Sequence, residues 1–575
     1  MTKKQKRHEG TAVAQNAKRG KLRAQVKQLL LAPWFVPALV FASFFILNLD
    51  ISGPAVLSDE IGYLSKAATI AGYPVQFASS WFGGYALLIS PAFLITRDPY
   101  GVWIGVLCIN ALMWAGSAVL LRYVLRRLYP DTTPLRLQLV TLGALAYPGW
   151  IALSGYAMVT SGFVFILLAT LAALLRSGYR RIDWLVGAGL LAGYLCWIHP
   201  MGYMFVLALA ALLVARAWAL RSWKSLVSLA PAVGMVALYH VGAMPYFAHV
   251  MGKSVASTNP GYGGQVATLI HSSLHLHFWV HSLAAFVGLL CFVVVATFGI
   301  AVYGTVPLLN RLRRGNWREL VTDSSTSVIA LSVLALLACV AATALSNAKG
   351  TNLRPDQWIY GRYSDMFLLP VIGVGLMQAW RMKWAVWLAV AVAASGFMLA
   401  WFVARGGHAY TYINKLDIAA FWPMWLTSIV HRNYFWLWGL LGAVGVLAVG
   451  LAGMPRRRWL LAATLPLVAA VFMANNLFHH SLVQDYGQPS QQIYALVSAQ
   501  PAGSCVGFTS SGTDTNERYA LYTFYLHAYN LQRMSLGGWQ QQCKGRGVYL
   551  TYAAGNVGLH AAADDPRYGL LAITR

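Results

Sequence analysis

Apolar residues along this chain gather into thirteen long runs, near 33–49, 101–121, 137–153, 158–175, 184–198, 200–215, 225–241, 281–306, 326–345, 366–380, 384–404, 433–452 and 459–475, parted by short polar segments. About 17 to 25 apolar residues in a helix cross a hydrocarbon core, and slightly fewer suffice where aromatic residues complete the span. The pattern predicts an all-α polytopic membrane protein of about thirteen transmembrane helices. The fifth and sixth runs meet at His199-Pro200 and read equally as one broken hairpin. Beyond about residue 477 the pattern changes. Cys505-Val506-Gly507-Phe508-Thr509 and Gly547-Val548-Tyr549-Leu550-Thr551-Tyr552 have strand character and flank a helical stretch from Asn516 to Leu531. That segment predicts a small α/β domain.

Composition narrows the class. The 575 residues are 58% hydrophobic and 10% charged, against about 25% charged in a soluble domain, which excludes a soluble enzyme. A net charge of +26 would suggest nucleic acid on a soluble chain, but the basic residues sit in clusters between apolar runs, such as Arg126-Arg127, Arg180-Arg181 and Arg456-Arg457-Arg458. With the basic tail inside, the inward segments hold 28 of the 43 Lys and Arg and 5 of the 17 Asp and Glu, giving +23 on that face and +3 on the other. This asymmetry is the positive-inside rule, and it leaves no role for nucleic acid. The expected topology is N-terminus in and C-terminus out, with residues 1–32 a basic cytoplasmic tail, 33–476 a transmembrane domain and 477–575 an extracytoplasmic domain. No small-x-small cleavage site follows the first run at Leu49-Asp50-Ile51-Ser52-Gly53-Pro54, so that run reads as an uncleaved anchor in a bacterial plasma membrane. Cys505 and Cys543 are the only cysteines of the C-terminal segment and are a disulfide candidate in an oxidising compartment.

None of the thirteen runs contains Asp, Glu, Lys or Arg, which counts against an ion-coupled transporter needing a relay at mid-membrane. Polar chemistry concentrates on the outer face. In the first outer loop, 50–100, a helix beginning after Ser58 would place Asp59, Tyr63 and Lys66, at offsets 0, 4 and 7, on one face, with Glu60 about 100° away. Acids in a first turn also serve as caps for backbone N–H groups, so pattern alone leaves capping and catalysis both open. His199 beside Pro200 reads equally as a hydrogen-bonded turn residue, and Arg362 as an interfacial anchor. His271/His275 and His277/His281 have i, i+4 spacing that could hold a metal. No acid or cysteine accompanies them, and an interfacial amphipathic segment explains them as well, so no metal site is assigned.

The Asp59-Glu60 pair just after the first span resembles the acidic motif of the GT-C glycosyltransferases, in particular the dolichyl-phosphate-mannose protein mannosyltransferases and lipid A aminoarabinose transferases. Gly84-Tyr85 with Pro91 is similar to the segment that closes this loop in the family. Tyr360-Gly361-Arg362-Tyr363 followed by Pro370 resembles its Arg-Tyr to Pro element. The resemblance implies an inverting membrane glycosyltransferase that moves a sugar from a polyprenyl-phosphate-linked donor to a glycan, lipid or protein acceptor at the outer membrane face. It implies Asp59 as catalytic carboxylate with Glu60 secondary. Arg362, with Tyr363, Lys66, Tyr63, Arg354 and His199 behind it, would hold the donor phosphate. The residues require no cofactor, and a divalent metal stays open. The alternatives are a lipid-linked glycan polymerase or ligase, and a non-catalytic transporter or flippase.

Overall fold

The computed structural model describes residues 31–49, 51–54, 58–75, 82–250, 262–297, 299–348, 360–379, 489–501, 503–509, 515–544, 546–552, 561–565 and 569–574, together with Gln28 and Gln357. Among these residues, six helices are long and apolar enough to cross a membrane. The eleventh to thirteenth apolar runs, part of the basis for a count of thirteen spans, lie outside the described residues.

The first apolar run forms the shorter apolar helix α1 (Phe35–Ile46). A short helix, α2 (Ser58–Ile70), and two smaller ones, α3 (Gly84–Ile89) and α4 (Pro91–Ile95), lead to α5 (Pro99–Leu128). The 30 residues of α5 make a rod of about 45 Å, the full depth of a bilayer with its headgroups. Both its ends are written in the sequence. Asp98 caps it by accepting the Gly101 N–H at 2.7 Å, Pro99 fits the first helical position, and Arg126-Arg127 meet the negative end of its dipole.

The third apolar run is broken by Pro148 into α6 (Pro134–Leu145) and α7 (Pro148–Leu153). Then come α8 (Thr160–Ser177), α9 (Ile182–Ile198), α10 (Met201–Leu220) and α11 (Trp223–Val250). The fifth and sixth runs are thus two helices turning at His199-Pro200, where His199 is extended. The short α12 (Tyr262–Ser273) follows. The eighth run, expected as one continuous helix, is two: α13 (Leu276–Ala296) and α14 (Ile300–Arg313). They part at Gly299, whose φ of +75° suits a residue without Cβ; uniform apolarity hides such a break. After α15 (Trp317–Thr322), α16 (Ser324–Asn347) and α17 (Gly361–Ala379) complete the described membrane domain. Its core is aromatic at the centre, with Trp103, Trp114 and Trp150 fully buried.

Helices also run past the apolar runs that announced them. Arg122 lies inside α5, Arg216 inside α10, and Arg362 and Asp365 inside the first turns of α17. The expectation of charge-free spans holds for the apolar runs and not for the helices. Each of these residues is at a helix end, where it has partners: Arg216 donates to the Thr322 carbonyl at 2.8 Å and lies over the Tyr179 ring.

The C-terminal segment forms a five-stranded sheet of order β2-β1-β3-β5-β4. The strands are β1 (Cys505–Phe508), β2 (Asn530–Arg533), β3 (Val548–Thr551), β4 (Ala561–Asp565) and β5 (Leu570–Thr574). β1 pairs in parallel with β2 and β3, while β5 pairs antiparallel with β3 and β4. Helices α18 (Gln491–Ser498), α19 (Thr515–Tyr525) and α20 (Leu536–Gln542) pack on it. The helical stretch expected to reach Leu531 stops at Tyr525, because Leu531 turns into the sheet core beside Val506. Cys505 and Cys543 are joined by a disulfide, with Cα atoms 5.7 Å apart.

This sheet domain is seated on the membrane domain. Helix α19 lies against α2, Phe524 meets the Trp103 ring edge-on at 6.2 Å, and His527 is wedged between Tyr73 and Phe93 at 4.8 and 5.3 Å. The seat lies directly over the helix that bears Asp59 and Glu60.

Candidate active site

The site is built where α2 meets the first turn of α17. Helix α2 carries two acids in its first turn, and α17 begins with Gly361-Arg362-Tyr363. Arg362 Nη2 donates to Asp59 Oδ2, joining residues 303 positions apart. Asp59 keeps 20% of its side-chain surface exposed against 8% for Arg362, so the carboxylate is the face a ligand meets. Arg362 Nε is buried with no hydrogen-bond partner among the described residues. A buried donor in that state invites an anionic acceptor.

Aromatic and imidazole groups surround the pair. Tyr63, one turn along α2 from Asp59, stands within electrostatic reach of Arg362, as do Tyr360 and Tyr363. Tyr360 and Tyr363 touch at 4.7 Å, and Tyr363 packs on His199 at 4.9 Å. His199 Nδ1 accepts the Met201 N–H at 3.2 Å. Burial, together with the nearby Arg362 charge, lowers the pKa of its imidazole to about 3, so it presents a neutral ring.

Glu60 points elsewhere. Fully buried, it accepts the Ala157 N–H through Oε1 at 2.9 Å. Ala157 belongs to the strap Tyr156-Ala157-Met158 between α7 and α8, and Met158 Sδ is 3.3 Å from Arg362 Nη2. The strap is itself fixed by Asn110 in mid-α5, which donates to the Tyr156 carbonyl at 3.0 Å and accepts from Tyr85 and Ser161 hydroxyls at 2.9 and 2.8 Å. Gly84, one residue before Tyr85, stands so close to α9 that a Cβ would lie 2.6 Å from the Trp197 carbonyl carbon; this approach lets Tyr85 reach Asn110.

Lys66, two turns along α2, is buried with its Nζ 5.1 Å from the Phe247 ring centroid. Burial lowers its pKa to about 8. Asp59, Tyr63, Arg362, Tyr363 and His199 therefore come together, Glu60 braces the strap, Lys66 borders α11, and Arg354 lies outside the described residues. His271/His275 and His277/His281 pack as pairs, at 5.6 and 3.8 Å between ring centroids, away from these residues along the chain, on α12, α13 and the turn between them. Among the described residues no group of three His, Cys, Asp or Glu could hold a metal ion.

Two polar residues went unread in the sequence. Asp365, one turn after Arg362, accepts the Tyr147 hydroxyl at 2.6 Å and offers its backbone carbonyl to Trp150 Nε1 at 3.3 Å, clamping α17 to α7. Its i, i+3 spacing from Arg362 on a helix was the available signal. Asn110 gave none, since a lone amide within an apolar run has no spacing to interpret.

No protein-family model matches this chain, and no curated protein matches it by sequence. Among solved structures it is similar to ArnT from Cupriavidus metallidurans bound to undecaprenyl phosphate. The TM-score is 0.53 at 14% sequence identity, over 94% of this chain and 97% of that one. The apo state of the same protein gives 0.52 at 14% identity with the same coverage of 94% and 97%. A looser likeness, TM-score 0.41, is to the Archaeoglobus fulgidus oligosaccharyltransferase in its apo form, at 14% identity over 88% of this chain and 65% of that one. The likeness to ArnT, a lipid A aminoarabinose transferase with the GT-C fold, spans nearly all of both chains. This chain therefore has that fold, and with its apolar helices it is a multi-pass membrane protein.

Proposed function

We propose that this chain is an inverting glycosyltransferase that takes a sugar from a polyprenyl-phosphate-linked donor and passes it to an acceptor hydroxyl at the outer face of a bacterial plasma membrane. The observation that carries the reading is the Asp59–Arg362 pair, formed where a loop helix meets the end of a span, beneath a seated C-terminal domain. In the proposed step the Asp59 carboxylate takes the proton of the acceptor hydroxyl while that oxygen attacks the anomeric carbon. The bond from that carbon to the phosphate oxygen breaks on the opposite face, and polyprenyl phosphate leaves with the electron pair. Arg362 neutralises the charge gathering on that phosphate. Its guanidinium has five donors, enough to hold Asp59 and a phosphate together. Tyr363, Tyr63 and His199 supply the wall around the reacting sugar, and Lys66 adds a second cation further along α2. Arg354 is assigned by resemblance alone to the same phosphate region. Glu60 positions α2 against the strap. The N-terminal tail lies on the cytoplasmic side and the sheet domain outside, as the charge asymmetry supports.

The test is reconstitution in lipid nanodiscs with polyprenyl-phosphate sugars and an extract of envelope lipids and glycans. Acceptor-dependent release of polyprenyl phosphate from wild type, lost in Asp59→Asn, is expected. Release undiminished by Asp59→Asn, or none with any donor, overturns the reading.

A further inference from the structure

Where the sheet domain sits on the membrane domain there is a crevice of about 230 Å³. Asp98 and Tyr100, at the start of α5, line one wall, and Pro489, Gln491, Tyr494 and Tyr525 line the other. Neither domain makes it alone. Its surface is largely ring: Tyr494 and Tyr525 stand edge to face at 6.3 Å, and Tyr100 is half exposed. Besides the tyrosine hydroxyls the polar groups are few: the Ser52 hydroxyl, the Asp98 carboxylate, of which Oδ2 already accepts the Gly101 N–H, and the exposed Gln491 amide. Among the described residues the lining contains no Lys or Arg.

The crevice borders the helix pair beside the candidate active site. Tyr525 ends α19, the helix packed on α2. Burial raises the pKa of its hydroxyl, and the Glu60 carboxylate, close enough to act on it, adds to that rise. Glu60 is the residue next to Asp59. A molecule bound in the crevice would thus lie beside the start of α2.

We infer that this crevice is the acceptor subsite and that it takes an uncharged, hydroxyl-rich sugar ring rather than a phosphorylated one. The inference rests on the transferase reading for the word acceptor, and on charge and ring chemistry for the class. Tyrosine rings present apolar faces with polar edges, which suit the apolar face and hydroxyl rim of a pyranose. A carboxylate and an amide accept and donate to ring hydroxyls. A phosphate, by contrast, would face Asp98 with no cation in the described lining to neutralise it, and like charges in such a setting repel.

Binding can be measured without turnover. Purified full-length protein in nanodiscs is examined by saturation-transfer NMR with methyl α-mannopyranoside and methyl β-glucopyranoside, and with mannose 6-phosphate and glucose 6-phosphate as charged counterparts. Wild type is expected to contact the neutral glycosides and to discriminate against the phosphates. Tyr494→Ala should weaken neutral binding roughly three- to tenfold, the effect of losing an aromatic contact, while Tyr494→Phe keeps it. Asp98→Lys should turn the preference toward the phosphates. The proposal is overturned if phosphates bind wild type as well as neutral sugars do, if neither neutral glycoside contacts it, or if Tyr494→Ala binds as wild type with its fold confirmed by an unchanged melting profile. Because this readout does not depend on transfer, a failed transferase assay with intact, selective crevice binding counts against the reading of Asp59 alone.

Discussion

Arg362, in the first turn of α17, holds Asp59, in the first turn of α2, by a direct ion pair across 303 residues of chain. The pair sets the geometry between two segments that sequence spacing treats as unrelated. Lysine would keep the charge but not the planar fork that can serve a carboxylate and a phosphate together. Arg362→Lys should lower kcat about 10²-fold, the usual effect of losing one aimed donor, with a raised KM for the lipid-linked donor. Arg362→Ala should in addition lower stability on the order of 3 kcal/mol, because a mostly buried carboxylate loses its partner. Donor titration and thermal unfolding of the two variants check both statements.

Glu60 behaves differently from its neighbour. Glu60→Gln retains a carbonyl oxygen that can accept the Ala157 N–H and should keep most of the activity. Glu60→Ala leaves that buried N–H without its acceptor and should cost about 1–3 kcal/mol. Equal loss of activity in Glu60→Gln and Asp59→Asn at equal stability would move Glu60 from positioning into the chemistry.

Lys66 gives a pH signature. With its pKa lowered by burial from 10.5 to about 8, the folded state sheds a proton that the unfolded chain keeps up to about pH 10. Between about pH 8 and 10 the unfolded state therefore binds more protons, and stability rises with pH. Donor affinity runs the other way if the ammonium faces the phosphate. The donor KM should climb above about pH 8 in wild type and stay flat through that range in Lys66→Met. A climb that persists in Lys66→Met would assign the titration elsewhere.

The Cys505–Cys543 bond closes a loop with a sequence separation of 38 residues within the sheet domain. Cys505→Ser with Cys543→Ser should destabilise that domain by about 2–4 kcal/mol and leave the membrane helices folded. Hydrogen exchange over β1 and β3, compared with that over α5 and α8, measures the two separately.

Much of this was legible because membrane helices advertise themselves by composition. The runs that became α5, α8, α10 and α16 needed only length and apolarity. Asp59 and Arg362 stood out as charged residues in short motifs beside spans. Other features left no such trace. The break at Gly299 lies within continuous apolar sequence. Asp365 was hidden by a run boundary drawn at Met366, inside a helix that begins at Gly361. β2 is four residues long with only Leu531 fully inward, too short for alternation to show, so it read as the end of a helix. The position of Glu60, braced on Ala157 rather than facing Arg362, depends on packing between α2 and a strap that begins some ninety residues later, information that no local spacing contains.

The central claim is that Asp59 is the base of a sugar transfer. It is tested most directly by mass spectrometry of envelope glycans from a strain lacking this protein, complemented with wild type or with Asp59→Asn at matched membrane abundance. The account expects a fixed sugar mass to disappear in the deletion, return with wild type and stay absent with the variant. A profile restored equally by Asp59→Asn would contradict it and leave Asp59 as the cap of α2.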